Sequence, residues 1–120
     1  MATGIILFAH GSRDPLWRAP VEAVGKRITE RAPDSLVACA YLELTTPDLP
    51  SCASQLIAQG ADRLSVLPLF LGIGKHARED LPQLISTLRL TYPHIPVVLQ
   101  PSIGEQARLL DVIADLALGE

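Results

Sequence analysis

The sequence predicts an α/β domain over residues 1–120: an open parallel four-stranded sheet in the order 2-1-3-4, with helices on both faces. Three observations predict it. Four short apolar runs alternate with stretches of helical spacing, the pattern of repeated strand–helix units. The hydrophobic fraction is 48% but aromatics are only 4%, so the core is aliphatic, as suits a parallel sheet covered on both sides. The chain has 120 residues, which fits a single domain, the commonest size being roughly 100–150 residues, and its core needs no staples. Right-handed crossovers then favour the order 2-1-3-4.

Ile5-Ile6-Leu7-Phe8-Ala9 is apolar throughout, as a central strand buried on both faces must be. It stops at the loop His10-Gly11-Ser12-Arg13-Asp14-Pro15. Helical spacing follows in Val21, Val24 and Ile28, with Glu22, Lys26, Arg27 and Glu30 between them. Pro15 or Pro20 opens that helix, and Pro33-Asp34 ends it. A second strand, Leu36 to Leu42, leads into Glu43-Leu44-Thr45-Thr46, where Thr46 and Pro47 read as N-cap and first position of a second helix. That helix runs through Leu56 and Ile57 to Gly60, suited to the position past a helix end. Strand three, Leu64 to Leu71, holds Pro68, which removes a ladder donor and predicts a bend or bulge. Gly72-Ile73-Gly74-Lys75-His76 follows, then a helix with Leu81, Leu84, Ile85 and Leu88 on one side. Val97-Val98-Leu99 is the fourth strand, and Gly104 to Leu118 the last helix.

Composition excludes several classes of function. The formal charge is −3, from 10 basic and 13 acidic side chains, and no basic run stands out, which argues against nucleic acid. An anionic ligand therefore needs a local cluster of cations. No apolar stretch is long enough to cross a bilayer. The N-terminus lacks the basic flank and cleavage site of a signal peptide, so a cytoplasmic location is expected. Cys39 and Cys52 lack CxxC spacing and read as buried reduced thiols, not as a disulfide or zinc site.

In the order 2-1-3-4 strands one and three are neighbours, and the chain leaves them in opposite directions. Ligands of such sheets bind at this switch point, outside the carboxyl ends of the strands. The unusual polar residues fall in the loops there: His10, Ser12 and Arg13 after strand one, Glu43 after strand two, Lys75 and His76 after strand three. Either histidine alone is as well explained by a structural hydrogen bond as by function; two on adjacent loops at a switch point favour function. Together they suit cobalt, iron, nickel or zinc, and Glu43 completes a two-His-one-carboxylate set with open positions. Glu43 is otherwise a helix-cap acceptor or a partner for an arginine. His94, before strand four, lies at the opposite edge and reads as a surface residue.

Other motifs carry less. Gly72-Ile73-Gly74-Lys75 lacks the GxxxxGK[ST] spacing, and no GxGxxG is present. The glycines instead allow a turn and close ligand approach, and the following helix start, with Lys75 and Arg78, can receive a carboxylate or phosphate, as can Arg13. Each cation can equally be a solvated surface charge. His10-Gly11-Ser12 suggests hydrolase oxyanion loops or a phosphohistidine enzyme. A hydrolase needs a GxSxG elbow, which is missing, and a histidine phosphatase is expected to carry arginine where Ala9 stands.

Phe8-Ala9-His10-Gly11-Ser12-Arg13-Asp14, Ala40-Tyr41-Leu42-Glu43-Leu44, and Leu67-Pro68-Leu69-Phe70-Leu71-Gly72-Ile73-Gly74-Lys75-His76 with Glu79-Asp80 resemble the sirohydrochlorin cobaltochelatase/ferrochelatase family. These are class II chelatases, which insert a divalent metal into a tetrapyrrole without ATP. The resemblance covers almost the whole chain and is most specific in the third segment. It implies His10 and His76 as metal-binding histidines with Glu43 as the glutamate, and no cofactor beyond the substrate metal, Co2+ or Fe2+. The length resembles the short form, equivalent to half of the tandem-domain chelatases, and implies a homodimer that recreates the two-domain cleft. Some short members associated with nickel carry a histidine-rich segment; with 3 histidines here, Ni2+ is less favoured.

The implied substrate, sirohydrochlorin, bears eight carboxylates. Arg13, Lys75, Arg78, Ser12 and helix-start N–H groups are the donors expected to meet them. Leu44, Leu71 and Ile73, with Gly72 and Gly74 allowing close approach, are expected on the ring face. Two competing classes remain: a non-catalytic metal or tetrapyrrole carrier using the same pocket, and a nucleotide-binding regulatory domain that nucleotide would protect against thermal unfolding.

Overall fold

The computed structural model describes residues 2–120. Four strands, β1 (Thr3–Ala9), β2 (Leu36–Tyr41), β3 (Arg63–Pro68) and β4 (Val97–Leu99), form one parallel sheet in the order β2-β1-β3-β4, as expected. Ile6 to Ala9 of β1 are all buried, because β1 is flanked by β2 and β3 (Leu7 lies opposite both Cys39 and Leu67) and covered on both faces.

The helices α1 (Ala19–Arg31), α2 (Leu49–Ala58), α3 (Lys75–Thr91) and α4 (Ala107–Leu118) alternate with the strands. Side chains of even number on β1 join α2 and α3 in the larger core, where Ile6 and Phe8 meet Cys52, Leu56, Val66, Phe70, Leu81 and Ile85. Odd-numbered ones face α1, where Leu7, Ala9, Val21 and Tyr41 form a smaller cluster. Each such buried aliphatic or aromatic side chain contributes about 1.5–3 kcal/mol.

Several boundaries differ from expectation, each for a local reason. Both candidate prolines of the first helix are used: Pro15 opens a four-residue 3-10 turn, Pro15–Arg18, capped by the Asp14 carboxylate, and Pro20 lies in the first turn of α1. The N-cap of α2 is Asp48, not Thr46. Its carboxylate accepts from the Ser51 N–H at 2.9 Å, Pro50 lies in the first turn, and the Pro47 carbonyl is engaged by the Tyr41 N–H at 2.9 Å. Pro68 ends β3 without a bulge, the β1–β3 register running unbroken to Phe8 opposite Pro68. His76 lies inside α3, whose N-cap is Gly74, and that helix runs unbroken through Pro82; this proline escaped the sequence reading. A short 3-10 turn, Ile103–Glu105, precedes α4, so the last helix starts at Ala107 and not at Gly104.

Candidate active site

The carboxyl ends of β1, β2 and β3 carry the residues that the sequence singled out, and backbone pairing continues past the ends of the strands to hold them. The Leu42 N–H donates to the Ala9 carbonyl and the Glu43 N–H to the His10 carbonyl, both at 2.9 Å. The first two loops are therefore stitched together directly at His10 and Glu43. Gly11 makes the stitch possible. Its φ is +107, and a Cβ there would fall inside the Glu43 carbonyl oxygen, so glycine is required both for its backbone conformation and for its lack of bulk. Leu44 has φ 68, a strained conformation for a side chain of its size, and is exposed at the rim.

The half-buried His10 ring lies on Phe70, ring centroids 4.3 Å apart and planes at 44°. Phe70 is buried and meets Phe8 edge-on at 5.9 Å. Its carbonyl accepts from the Ser102 hydroxyl and from the Gly104 N–H at 3.1 Å. A Cβ on Gly104 would collide with the Leu71 carbonyl, so that turn also depends on glycine. Phe70, Ser102 and Gly104 thus brace the base of the third loop and the seat of His10. The sequence reading gave none of them a part in seating His10; the signal was an aromatic in a chain with only 2 phenylalanines, placed just past a strand-ending proline.

Beyond Phe70 the third loop is unbraced. Leu71 and Gly72 are exposed, Ile73 half-buried and Gly74 exposed, and no atom lies within 4 Å of a Cβ built on Gly72 or Gly74. Lys75, His76 and Arg78 follow in the first turn of α3, all exposed. Gly74 supplies no side-chain cap, so the N–H groups of this turn and the positive end of the helix dipole are open to an anion. Arg13, Lys75 and Arg78 form no salt bridge among the described residues, the one ion pair there being Arg18–Glu22 at 3.7 Å. The Ser12 hydroxyl accepts from the Asp14 N–H at 3.1 Å, and Asp14 in turn caps the Pro15–Arg18 turn.

His10, Glu43 and His76 share this edge but are not gathered into a closed ligand set. Among the described residues no three His, Cys, Asp or Glu side chains are grouped to hold a metal ion. The cysteines are poor candidates for metal binding as well. Burial pushes both thiols up, helped at Cys39 by Glu22, and Cys52 reaches about 11, so neither offers a thiolate near neutrality. His94 is exposed in the loop before β4, at the opposite edge, as expected.

Two clefts flank the edge. One, of about 400 Å3, lies between α2 and α3 and is lined by residues including Tyr41, Asp48, Asp80 and Gln83. The other, of about 360 Å3, is lined by Ile73, Arg78, Gln100, Ser102 and Glu105 among others. Neither is lined by His10, Glu43 or His76.

The fold is thus an open parallel α/β domain with one imidazole in the loop after β1, another in the first turn of α3, and, among the described residues, cations without salt bridges beside them at the switch point. The CbiX family model matches residues 4–118, and the chain belongs to that family. It is similar to the sirohydrochlorin cobaltochelatase of Methanococcus aeolicus, 24% identical over 96% of this chain and 97% of the relative. It is also similar to the chloroplastic sirohydrochlorin ferrochelatase of Arabidopsis thaliana, 32% identical over 95% of this chain but only 51% of the relative, so the chain spans about half of that protein's length. A crystal structure of a cobalamin biosynthesis CbiX protein from Marinobacter aquaeolei superimposes with a TM-score of 0.81, at 32% identity, covering 98% of this chain and 95% of the other. No helix among the described residues is long and apolar enough to cross a membrane.

Proposed function

We propose that this protein is a sirohydrochlorin chelatase, a lyase that inserts Co2+ or Fe2+ into the tetrapyrrole without ATP. One observation carries the proposal: His10 in the loop after β1 and His76 in the first turn of the helix after β3 follow the two neighbouring strands at the switch point, in a chain matched over residues 4–118 by the CbiX family. The Arabidopsis and Methanococcus relatives, named for iron and cobalt respectively, support those two metals.

In this mechanism neutral imidazoles of His10 and His76 hold the metal at one face of the ring, and Glu43 is the third ligand. The open set suits a metal that must leave: a closed, tight site would hold its ion against the ring nitrogens. Insertion releases two pyrrole protons as two ring nitrogens bind the metal, and His10, His76 and Glu43 are the acceptors at hand. The substrate carboxylates meet Arg13, Lys75, Arg78, the Ser12 hydroxyl and the free N–H groups at the start of α3. Leu44, Leu71 and Ile73 lie against the ring, with Gly72 and Gly74 admitting it closely. One unit spanning residues 1–120 is half of the working cleft, and a homodimer supplies the other half. The cytoplasm is its expected location.

The test is the visible absorption of sirohydrochlorin with Co2+ or Fe2+ under anaerobic conditions, with and without catalytic amounts of protein. Many turnovers above the protein-free rate, with a preference for one metal, establish the chelatase and point to its pathway. A spectral change that saturates at one ligand per site without acceleration leaves a carrier and overturns the enzyme.

A further inference from the structure

We infer that the turn Pro15–Arg18 is part of the substrate seat: Leu16 is an apolar contact for the tetrapyrrole ring, and Trp17 is the positioning residue that holds it there. The inference rests on the chelatase proposal for its substrate and adds two residues to which that proposal gives no part.

Three adjacent loops carry it. The segments after β1, β2 and β3 each put one large aliphatic side chain into solvent: Leu16 is 80% exposed, Leu44 53% and Leu71 62%. A single exposed leucine is ordinary. One from each of three neighbouring loops, around His10 and Arg13, is a grouping of the kind that marks a binding surface. From β2 across β1 to β3 the strands span roughly 10 Å, a width that a tetrapyrrole core covers.

Contacts place the turn at this edge. Trp17 meets the Tyr41 ring edge-on, centroids 6.2 Å apart, and Tyr41 closes β2 opposite Ala9, the residue before His10. The turn therefore folds back over the ends of β1 and β2, beside the point where the Glu43 N–H reaches the His10 carbonyl. It is also tied down. Pro15 fixes its own φ, and the Asp14 carboxylate accepts from the Leu16 N–H at 2.9 Å. The Asp14 carbonyl accepts from the Trp17 N–H at 3.1 Å, and the Ser12 hydroxyl from the Asp14 N–H at 3.1 Å. These bonds order the backbone around a side chain that the fold leaves almost wholly in water. Folding gains little from Leu16, so its apolar surface remains to be covered by a ligand. A turn already ordered binds without the cost of arranging itself. Ser12 and Arg13 on the same loop set polar donors beside the aliphatic contact, the pattern that suits a flat apolar ring edged with carboxylates.

The test is the binding of metal-free sirohydrochlorin, followed by its own fluorescence anisotropy, with turnover measured alongside by absorbance. Leu16→Ser is expected to raise the Kd about three- to tenfold, the loss of one partly covered leucine. The same change should appear in the KM for the tetrapyrrole and not in kcat, as for any contact made equally in ground and transition states. Trp17→Ala should weaken binding similarly, and Trp17→Phe, which keeps a ring against Tyr41, should retain it. Leu90→Ser is the control: Leu90 is 82% exposed at the far end of α3, at the opposite edge, and its replacement should change nothing. Leu16 is so exposed that its variant should keep the wild-type urea midpoint, so the test stands even if Trp17→Ala fails to fold. Binding by Leu16→Ser equal to that of Leu90→Ser overturns the inference, and a wild type that still turns over then leaves the chelatase proposal standing. Binding that weakens in Leu16→Ser, in a wild type without turnover, supports the seat and overturns the enzyme. Equal weakening by Trp17→Phe and Trp17→Ala overturns the positioning role. A change of mass in light scattering on Leu16→Ser assigns the leucine to a protein contact and overturns the seat.

Discussion

The two histidine-bearing segments of the carboxyl edge are built in opposite ways. His10 is braced: its carbonyl receives the Glu43 N–H, its ring rests on the buried Phe70, and the glycine after it fits under the Glu43 carbonyl. His76 stands exposed in the first turn of α3, behind two glycines at which a Cβ would meet nothing within 4 Å. Under the proposed mechanism, which must both take a metal and give it up, a braced ligand opposite an unbraced one is a workable division: one imidazole would define the position of the ion and the other would follow it towards the ring. The contrast teaches that a shared edge does not imply shared rigidity, and it can be broken by experiment.

The largest effect is expected at the histidines themselves. His10→Ala and His76→Ala should each remove most metal-insertion activity, about a hundredfold or more as for loss of a principal catalytic group, measured by the absorbance assay. Near-normal turnover in both would remove the basis of the comparison. Next, Gly11→Ala should destabilise the fold by about 2–4 kcal/mol in urea unfolding, since it meets a backbone carbonyl at a positive φ. Gly72→Ala, in open space, should stay within about 0.5 kcal/mol of wild type and raise the KM for the tetrapyrrole. Equal destabilisation by the two would mean that the third loop is as braced as the first.

Smaller effects refine the braced side. Asp48→Ala should cost about 1 kcal/mol as a lost N-cap. Hydrogen bonds from the Ser51 hydroxyl and N–H hold the Asp48 carboxyl below its ordinary 3.8. A carboxyl lowered in the folded state stabilises the fold above its unfolded value, and that contribution disappears as pH falls through the folded value. The difference between wild type and Asp48→Ala should therefore be full near neutrality and shrink below pH 3.8; a difference that grew on acidification would contradict the cap. Leu44→Gly should relieve the positive φ and leave stability unchanged or raised by about 1 kcal/mol, while weakening tetrapyrrole binding in a fluorescence titration. Unchanged binding would take Leu44 off the ring face.

Much of this molecule was legible in its sequence because the informative interactions are local or periodic. The unbroken apolar run Ile5 to Ala9 already meant a strand covered on both faces, and four alternating units with right-handed crossovers left the order 2-1-3-4 as the favoured topology. With that order, His10, Glu43 and His76 had to fall at one edge. Helix starts were less legible: Thr46-Pro47 and Asp48-Leu49-Pro50 offer the same local grammar, and the choice went to Asp48 because Tyr41, on β2, engages the Pro47 carbonyl. Tertiary structure alone decided what depends on residues far apart in the chain. Phe70 under His10 and Gly104 against Leu71 are pairings that no local pattern encodes. The same holds for α4, read in the sequence only as the last helix; that none of its residues would be buried follows only from where the strands placed it.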